Sequence, residues 1–176
     1  TGSWSVQTSA LAEGNRVMTA KATDPAGNQS VASAAQTIVI DTTAPTGSLT
    51  LTKTNGTALG ATNKEKIIKL TVTSTNEVLN VTNAASFKTN MIVYKNAVLS
   101  DKSDISVSNY SQSGTGPYVY SAEVDLTNEG DAGYTFAFAA IDLAGNNVEL
   151  DAVSYTLDST APGAPVMNAI TTPSSN

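Results

Sequence analysis

The chain has 176 residues, room for one domain of ordinary size and part of another. Fifteen acidic against nine basic residues leave a net charge of −6, which disfavours nucleic acid and anionic membrane as partners. Cysteine and histidine are both absent, which removes disulfides, thiolate sites, the usual zinc ligand and every serine–histidine pair, and no apolar run of about 18 residues is present to span a membrane.

The first 41 residues read best beside a later stretch. Gly2-Ser3-Trp4-Ser5-Val6 matches Tyr118–Ala122, with Trp4 in the place of Tyr120, and Glu13-Gly14 matches Glu129-Gly130 ahead of a two-residue offset. Met18, Ala20, Ala22 and Asp24 then fall opposite Phe136, Phe138, Ala140 and Asp142. Residues 1–41 are therefore expected to be the last three strands of one unit.

A linker at 42–46 leads into a complete unit at 45–158. Ser48–Lys53 alternates with Leu49 and Leu51 on one face, and Lys66–Thr73 turns Ile68, Leu70 and Val72 inward. Met91–Lys95 and Ile105–Val107 are shorter runs. Tyr118–Asp125 puts Tyr118, Tyr120, Ala122 and Val124 on one side, and Tyr134–Ala140 does the same with Tyr134, Phe136, Phe138 and Ala140. Val153–Leu157 closes the set, and no stretch keeps a helical period over three turns. Short alternating strands split by Gly, Asn, Ser and Pro predict an all-β, antiparallel sandwich. Residues 159–176 read as a linker and the start of a further unit.

Two motifs occur twice. Ala-Thr-Asp-Pro-Ala-Gly-Asn at 22–28 returns as Ala-Ile-Asp-Leu-Ala-Gly-Asn at 140–146, and Ile-Asp-Thr-Thr-Ala-Pro at 40–45 returns as Leu-Asp-Ser-Thr-Ala-Pro at 157–162. Asp24 and Asp142 stand 118 apart, Asp41 and Asp158 117 apart, which is domain-sized spacing and suggests a tandem repeat. This double signature, with Asn76-Glu77-Val78 after the second strand, resembles the bacterial immunoglobulin-like repeats of giant cell-surface and biofilm adhesins. The resemblance covers essentially the whole chain. It implies a secreted, cell-surface location and a part in cell adhesion.

In such a sandwich the loop between the last two strands, the loop between the second and third, and the incoming linker share one pole. Asp142, Glu77 and Asp41 would then meet at the seam between the two units. Three gathered carboxylates repel, and a hard cation relieves them. Calcium suits the task, because it takes six to eight oxygens with tolerant geometry where magnesium demands a tight octahedron. Asn146 and loop carbonyls would complete the shell. Asp24 and Asp158 would each be half of a seam whose other half belongs to a neighbouring repeat. Taken singly, each Asp-x-x-Gly-Asn is also simply a good turn, since Asp bonds backbone N–H groups two residues on. Asp125, Glu129 and Asp131 form a weaker cluster near the opposite pole. Four Asn-x-Ser/Thr triplets, at Asn28, Asn55, Asn80 and Asn109, arise readily by chance in a Thr/Ser-rich chain, and Lys66 and Lys69 are conceivable donors for an isopeptide bond.

The preferred expectation is a structural extender, stiffened by calcium at its seams, whose partners are neighbouring repeats and, through distal domains, a host surface or matrix. The alternative is a module that itself binds a host glycan or protein through loops 54–65 and 108–117, with Tyr110 as the exposed anchor. An enzyme is the least favoured reading.

Overall fold

A computed structural model describes residues 5–167. Trp4, most of the Gly2–Val6 match and the tail of the 159–176 segment lie outside the described residues. Residues 5–41 contribute two antiparallel strands, β1 (Gly14–Met18) and β2 (Gln36–Ile40). Ser5 and Val6 join no strand, so among the described residues the expected three are two.

Residues 47–157 form an immunoglobulin-like antiparallel sandwich. Its strands are β3 (Gly47–Lys53), β4 (Ile67–Ser74), β5 (Met91–Lys95), β6 (Val98–Leu99), β7 (Ser106–Ser113), β8 (Tyr118–Asp125), β9 (Ala132–Ile141) and β10 (Asn147–Leu157). One sheet runs β3-β4-β8-β7 and the other β10-β9-β5-β6. That order is the ABED and GFCC′ arrangement of immunoglobulin domains.

Alternation decides which side chains meet between the sheets. Ile68, Leu70 and Val72 sit opposite Val124, Ala122 and Tyr120 in the β4–β8 ladder, and all six are buried. Across the sandwich they face Met91, Val93, Tyr134, Phe136 and Phe138, also buried. Each large apolar side chain so enclosed contributes roughly 1.5–3 kcal/mol. Tyr134 Oη donates to Gly130 O at 2.5 Å, pinning the chain where it enters β9, as the tyrosine corner of such folds does. Lys69 points away from this core on the outer face of β4 and Lys66 is exposed, so neither is placed for a buried isopeptide bond.

The sequence reading missed one helix, α1 (Ala84–Asn90). Asn83 Oδ1 accepts from Ser86 N at 2.9 Å while Ser86 Oγ accepts from Asn83 N at 3.1 Å, a reciprocal cap that starts it. Its one buried residue, Phe87, packs on Phe138 with ring centroids 5.1 Å apart and edge-on to Tyr110 at 6.2 Å. Lys102 Nζ donates to the carbonyls of Lys88, Thr89 and Met91 and closes the other end.

The expected loop 108–117 is mostly strand, because β7 runs on to Ser113 through an irregularity between Ser108 and Ser111. Tyr110 lies in it half-buried, and its hydroxyl donates to Val81 O at 2.6 Å. It braces α1 and is not the free anchor expected.

Tyr120 carries a further constraint. Its buried hydroxyl oxygen accepts from Leu79 N at 2.7 Å and so holds the β4–β5 segment against β8. Tyr120→Phe strands that N–H in the core, an expected loss of about 1–3 kcal/mol in denaturant unfolding at unchanged fold.

Candidate metal centre

Three segments distant in sequence meet at one pole of the sandwich. Asp41 leaves β2, Glu77 follows β4, and Asp142 follows β9. One carboxylate oxygen from each lies within 4.8 Å of the others. These are the three acids the sequence placed at the seam.

Each is held there by identifiable bonds. Asp142 is 2% exposed. Its Oδ1 accepts from Gly145 N at 2.6 Å and Asn146 N at 2.9 Å, and its Oδ2 from Asn146 Nδ2 at 2.8 Å. Gly145 takes a φ of 97°, which a glycine adopts without strain and which lets the loop fold back on the carboxylate. The Glu77 segment is fastened to the same loop, as Asn80 N donates to Ile141 O at 2.7 Å and Leu79 bridges to Asp142. Ser74 Oγ donates to Glu77 O at 2.6 Å, fixing the turn that presents Glu77. Asp41 Oδ1 accepts from Thr43 N at 3.2 Å.

Asn146 reaches the cluster, and its amide nitrogen fastens it. Its Nδ2 donates to Asp41 O at 3.0 Å as well as to Asp142 Oδ2. Through these bonds Asn146 ties the linker to the loop. Asn76, given no role from sequence, does similar work. Its Oδ1 accepts from Thr46 N at 2.7 Å, and its Nδ2 donates to Ala44 O at 3.2 Å and Glu77 Oε1 at 2.9 Å. The linker is thereby bonded along its length to the sandwich that follows. The signal available was adjacency: an Asn preceding the candidate Glu at the end of an alternating strand.

The electrostatics are those of an uncompensated anion cluster. Burial raises the Glu77 pKa above its ordinary 4.5, and the charges of Asp142 and Asp41 push it further the same way. For Asp142 desolvation also opposes ionisation, but the Asn146 side chain and the loop N–H groups outweigh it and hold its pKa below the usual value. Among the described residues the ion pairs are Lys53–Glu65 and Lys95–Glu129, so neither brings a cation to the seam. Three oxygens within 4.8 Å of one another fit inside a calcium shell, about 4.6–5.2 Å across from bonds of 2.3–2.6 Å, and their hard carboxylate chemistry suits that ion.

The remaining candidates stand apart. Asp24 occupies a loop built like that of Asp142, with Oδ1 accepting from Ala26 N and Asn28 N and Oδ2 from Asn28 Nδ2, but it is exposed and, among the described residues, in no acidic group. Asp158 is exposed, its backbone N–H donating to Asn63 O at 2.8 Å. The second cluster does not form. Asp125 caps Thr127 N, Glu129 pairs with Lys95, and Asp131 accepts from Ser159 and Thr160.

The strand registers add a correction. Gly14 to Met18 oppose Ile40 to Gln36, and Ala132 to Phe136 oppose Leu157 to Val153, pair for pair. Gly14 therefore holds the place of Ala132 and Glu13 that of Asp131, not Glu129. Comparison with protein-family models and with curated proteins finds no match for this chain.

Proposed function

We propose that the chain is an extender segment of a bacterial surface adhesin, made of tandem immunoglobulin-like repeats and stiffened by calcium where repeats meet. It works by position and not by turnover. The observation that carries this reading is the convergence of Asp41, Glu77 and Asp142 from a linker and two loops, with no basic side chain paired with them among the described residues. An ion there would join the preceding unit's exit strand to the following unit's loops, removing the freedom of a five-residue hinge. The matching ladders β1–β2 and β9–β10 and the twin Asp-x-x-Gly-Asn loops support the tandem repeat. Neighbouring repeats are then the partners, and a distal domain carries adhesion to host surface or matrix. The alternative, a module that binds a glycan or protein through its own loops, loses support because Tyr110 is used internally.

Small-angle scattering tests the reading. With calcium the maximum dimension should lengthen and the flexibility signature shrink relative to chelator. Superimposable profiles, with no heat of calcium binding in calorimetry, would refute it.

A further inference from the structure

The segment after each terminal aspartate is gripped by a carboxylate far away in sequence. Glu13 Oε2 accepts from Thr42 Oγ1 at 2.9 Å and Glu13 Oε1 from Thr43 Oγ1 at 2.7 Å, across 29 and 30 residues. In the second unit Asp131 Oδ1 accepts from Ser159 N at 2.8 Å and Ser159 Oγ at 2.6 Å, and Asp131 Oδ2 from Thr160 Oγ1 at 2.5 Å. The ladder registers put Glu13 and Asp131 in the same place, one residue before the penultimate strand begins its pairing. Thr42 and Ser159 correspond, as do Thr43 and Thr160. A fork of two hydroxyls on one ionised carboxylate is short and charge-assisted, stronger than neutral hydrogen bonds. Chance surface contacts have no reason to recur at matching positions with a different acid.

We propose that Glu13 and Asp131 are linker clamps: each seizes the two hydroxyls that follow a terminal aspartate and fixes the direction in which the chain leaves its unit. The linker 42–46 is then held from both sides. Glu13 holds Thr42 and Thr43 to the preceding strands, while Asn146 and Asn76 hold Asp41 and Ala44 to the following sandwich. Between these fastenings the Asp41 side chain has little room to swing, which pre-organises it for the seam. Glu13 is thus a positioning residue, acting on the cation through Asp41 and touching it nowhere. The same clamp at Asp131 presets Asp158 and its exit strand for a following repeat. Hydroxyl pairs explain why Ser-Thr replaces Thr-Thr without loss, since both supply two donors in succession. The consequence for the cation rests on the calcium seam proposed above, whereas the consequence for direction does not.

The test uses the whole chain, which has no native cysteine to confuse labelling. Spin labels at Val31→Cys and Val98→Cys, both exposed, report the distance between the two units. Glu13→Ala, and Thr42→Val with Thr43→Val, remove the acceptor or the donors, and Thr42→Ser with Thr43→Ser restores them. Pulsed dipolar spectroscopy should give one narrow distance for the unsubstituted chain and the serine pair. The alanine and valine variants should give a broad distribution, even with calcium. Loss of two hydrogen bonds' worth of ordering should weaken calcium binding roughly tenfold by calorimetry, with the serine pair near the original affinity. An unsubstituted chain that binds no calcium sinks the seam reading, while the distance distribution still decides the clamp. Calcium binding and narrow distances that survive in both the alanine and valine variants overturn the clamp. Near-ultraviolet circular dichroism separates a lost clamp from a lost fold, and the serine pair distinguishes donor chemistry from packing.

Discussion

Chelating calcium is expected to lower the melting temperature of the chain by about 10 °C from its value at a hundredfold excess of ion over the dissociation constant. A ligand that binds only the folded state adds ~2.7 kcal/mol at that excess, and a domain of this size shifts by about 4 °C per kcal/mol. Asp41→Ala should melt at the chelated temperature and ignore the chelator. Its carboxylate leaves the linker without opening the core, because Asp41 is half-buried and its backbone carbonyl still accepts from Asn146. Asp142→Ala should fall lower still. It removes the acceptor for Gly145 N, Asn146 N and Asn146 Nδ2 as well as a ligand, so the loop that meets Glu77 loses its own closure. Thermal melts by circular dichroism, with calcium and with chelator, give both results. An Asp41→Ala protein that still gains 10 °C from calcium would leave the linker with no part in the site.

The gap between those two aspartates shows what was legible in the sequence. Strands β4, β5, β8 and β9 were readable because apolar side chains recur every second residue, and a period of two survives any ambiguity about which strand pairs with which. The meeting of Asp41 with Asp142 was readable because two motifs recur at nearly equal spacing, which places their acids at matching poles. Four features were not. Helix α1 buries only Phe87 over seven residues, too few turns to print a helical period, and its one mark is the Asn83–Ser86 cap. Strand β6 is two exposed residues, Val98 and Leu99, whose pairing with β5 leaves no pattern at all. Glu13 was matched to Glu129 because letters alone favour Glu over Asp, whereas the ladder puts Asp131 in that place. The roles of Asn146 and Asn76 depend on which amide atom faces the carboxylates, information that exists only once the loops are folded.

Glu77→Gln should reverse its effect when calcium is added, and that reversal distinguishes a ligand from a merely crowded surface acid. Without the ion, the Glu77 pKa lies above 4.5 through burial and the neighbouring charges of Asp142 and Asp41. A carboxyl raised in this way favours the folded state most when protonated. Its contribution is complete below the unfolded value near 4.5 and is lost as pH rises through the raised folded value. At pH 7 the ion-free chain therefore carries the full repulsion. A neutral glutamine carries none, so ion-free Glu77→Gln should be more stable than the unsubstituted chain at pH 7, by less than about 1 kcal/mol because the group is half-exposed. At pH 4 the two should converge. Calcium inverts the ranking, since an amide oxygen replaces an anion in the shell and the ion binds the variant more weakly. Asp142 moves the other way. Its lowered pKa means it keeps its charge, and its share of stability, until pH falls through that lowered value. Glu77 is then the first of the pair to take up a proton as the medium acidifies, and ion and proton compete there. Calcium affinity should drop as the medium acidifies through the raised Glu77 pKa, with protons released on binding there. Melting curves of both proteins at pH 4, 5 and 7, with calcium and with chelator, read the whole pattern. If Glu77→Gln ranks the same way with and without the ion, Glu77 is not a ligand, and the seam must hold its cation with Asp41 and Asp142 or not at all.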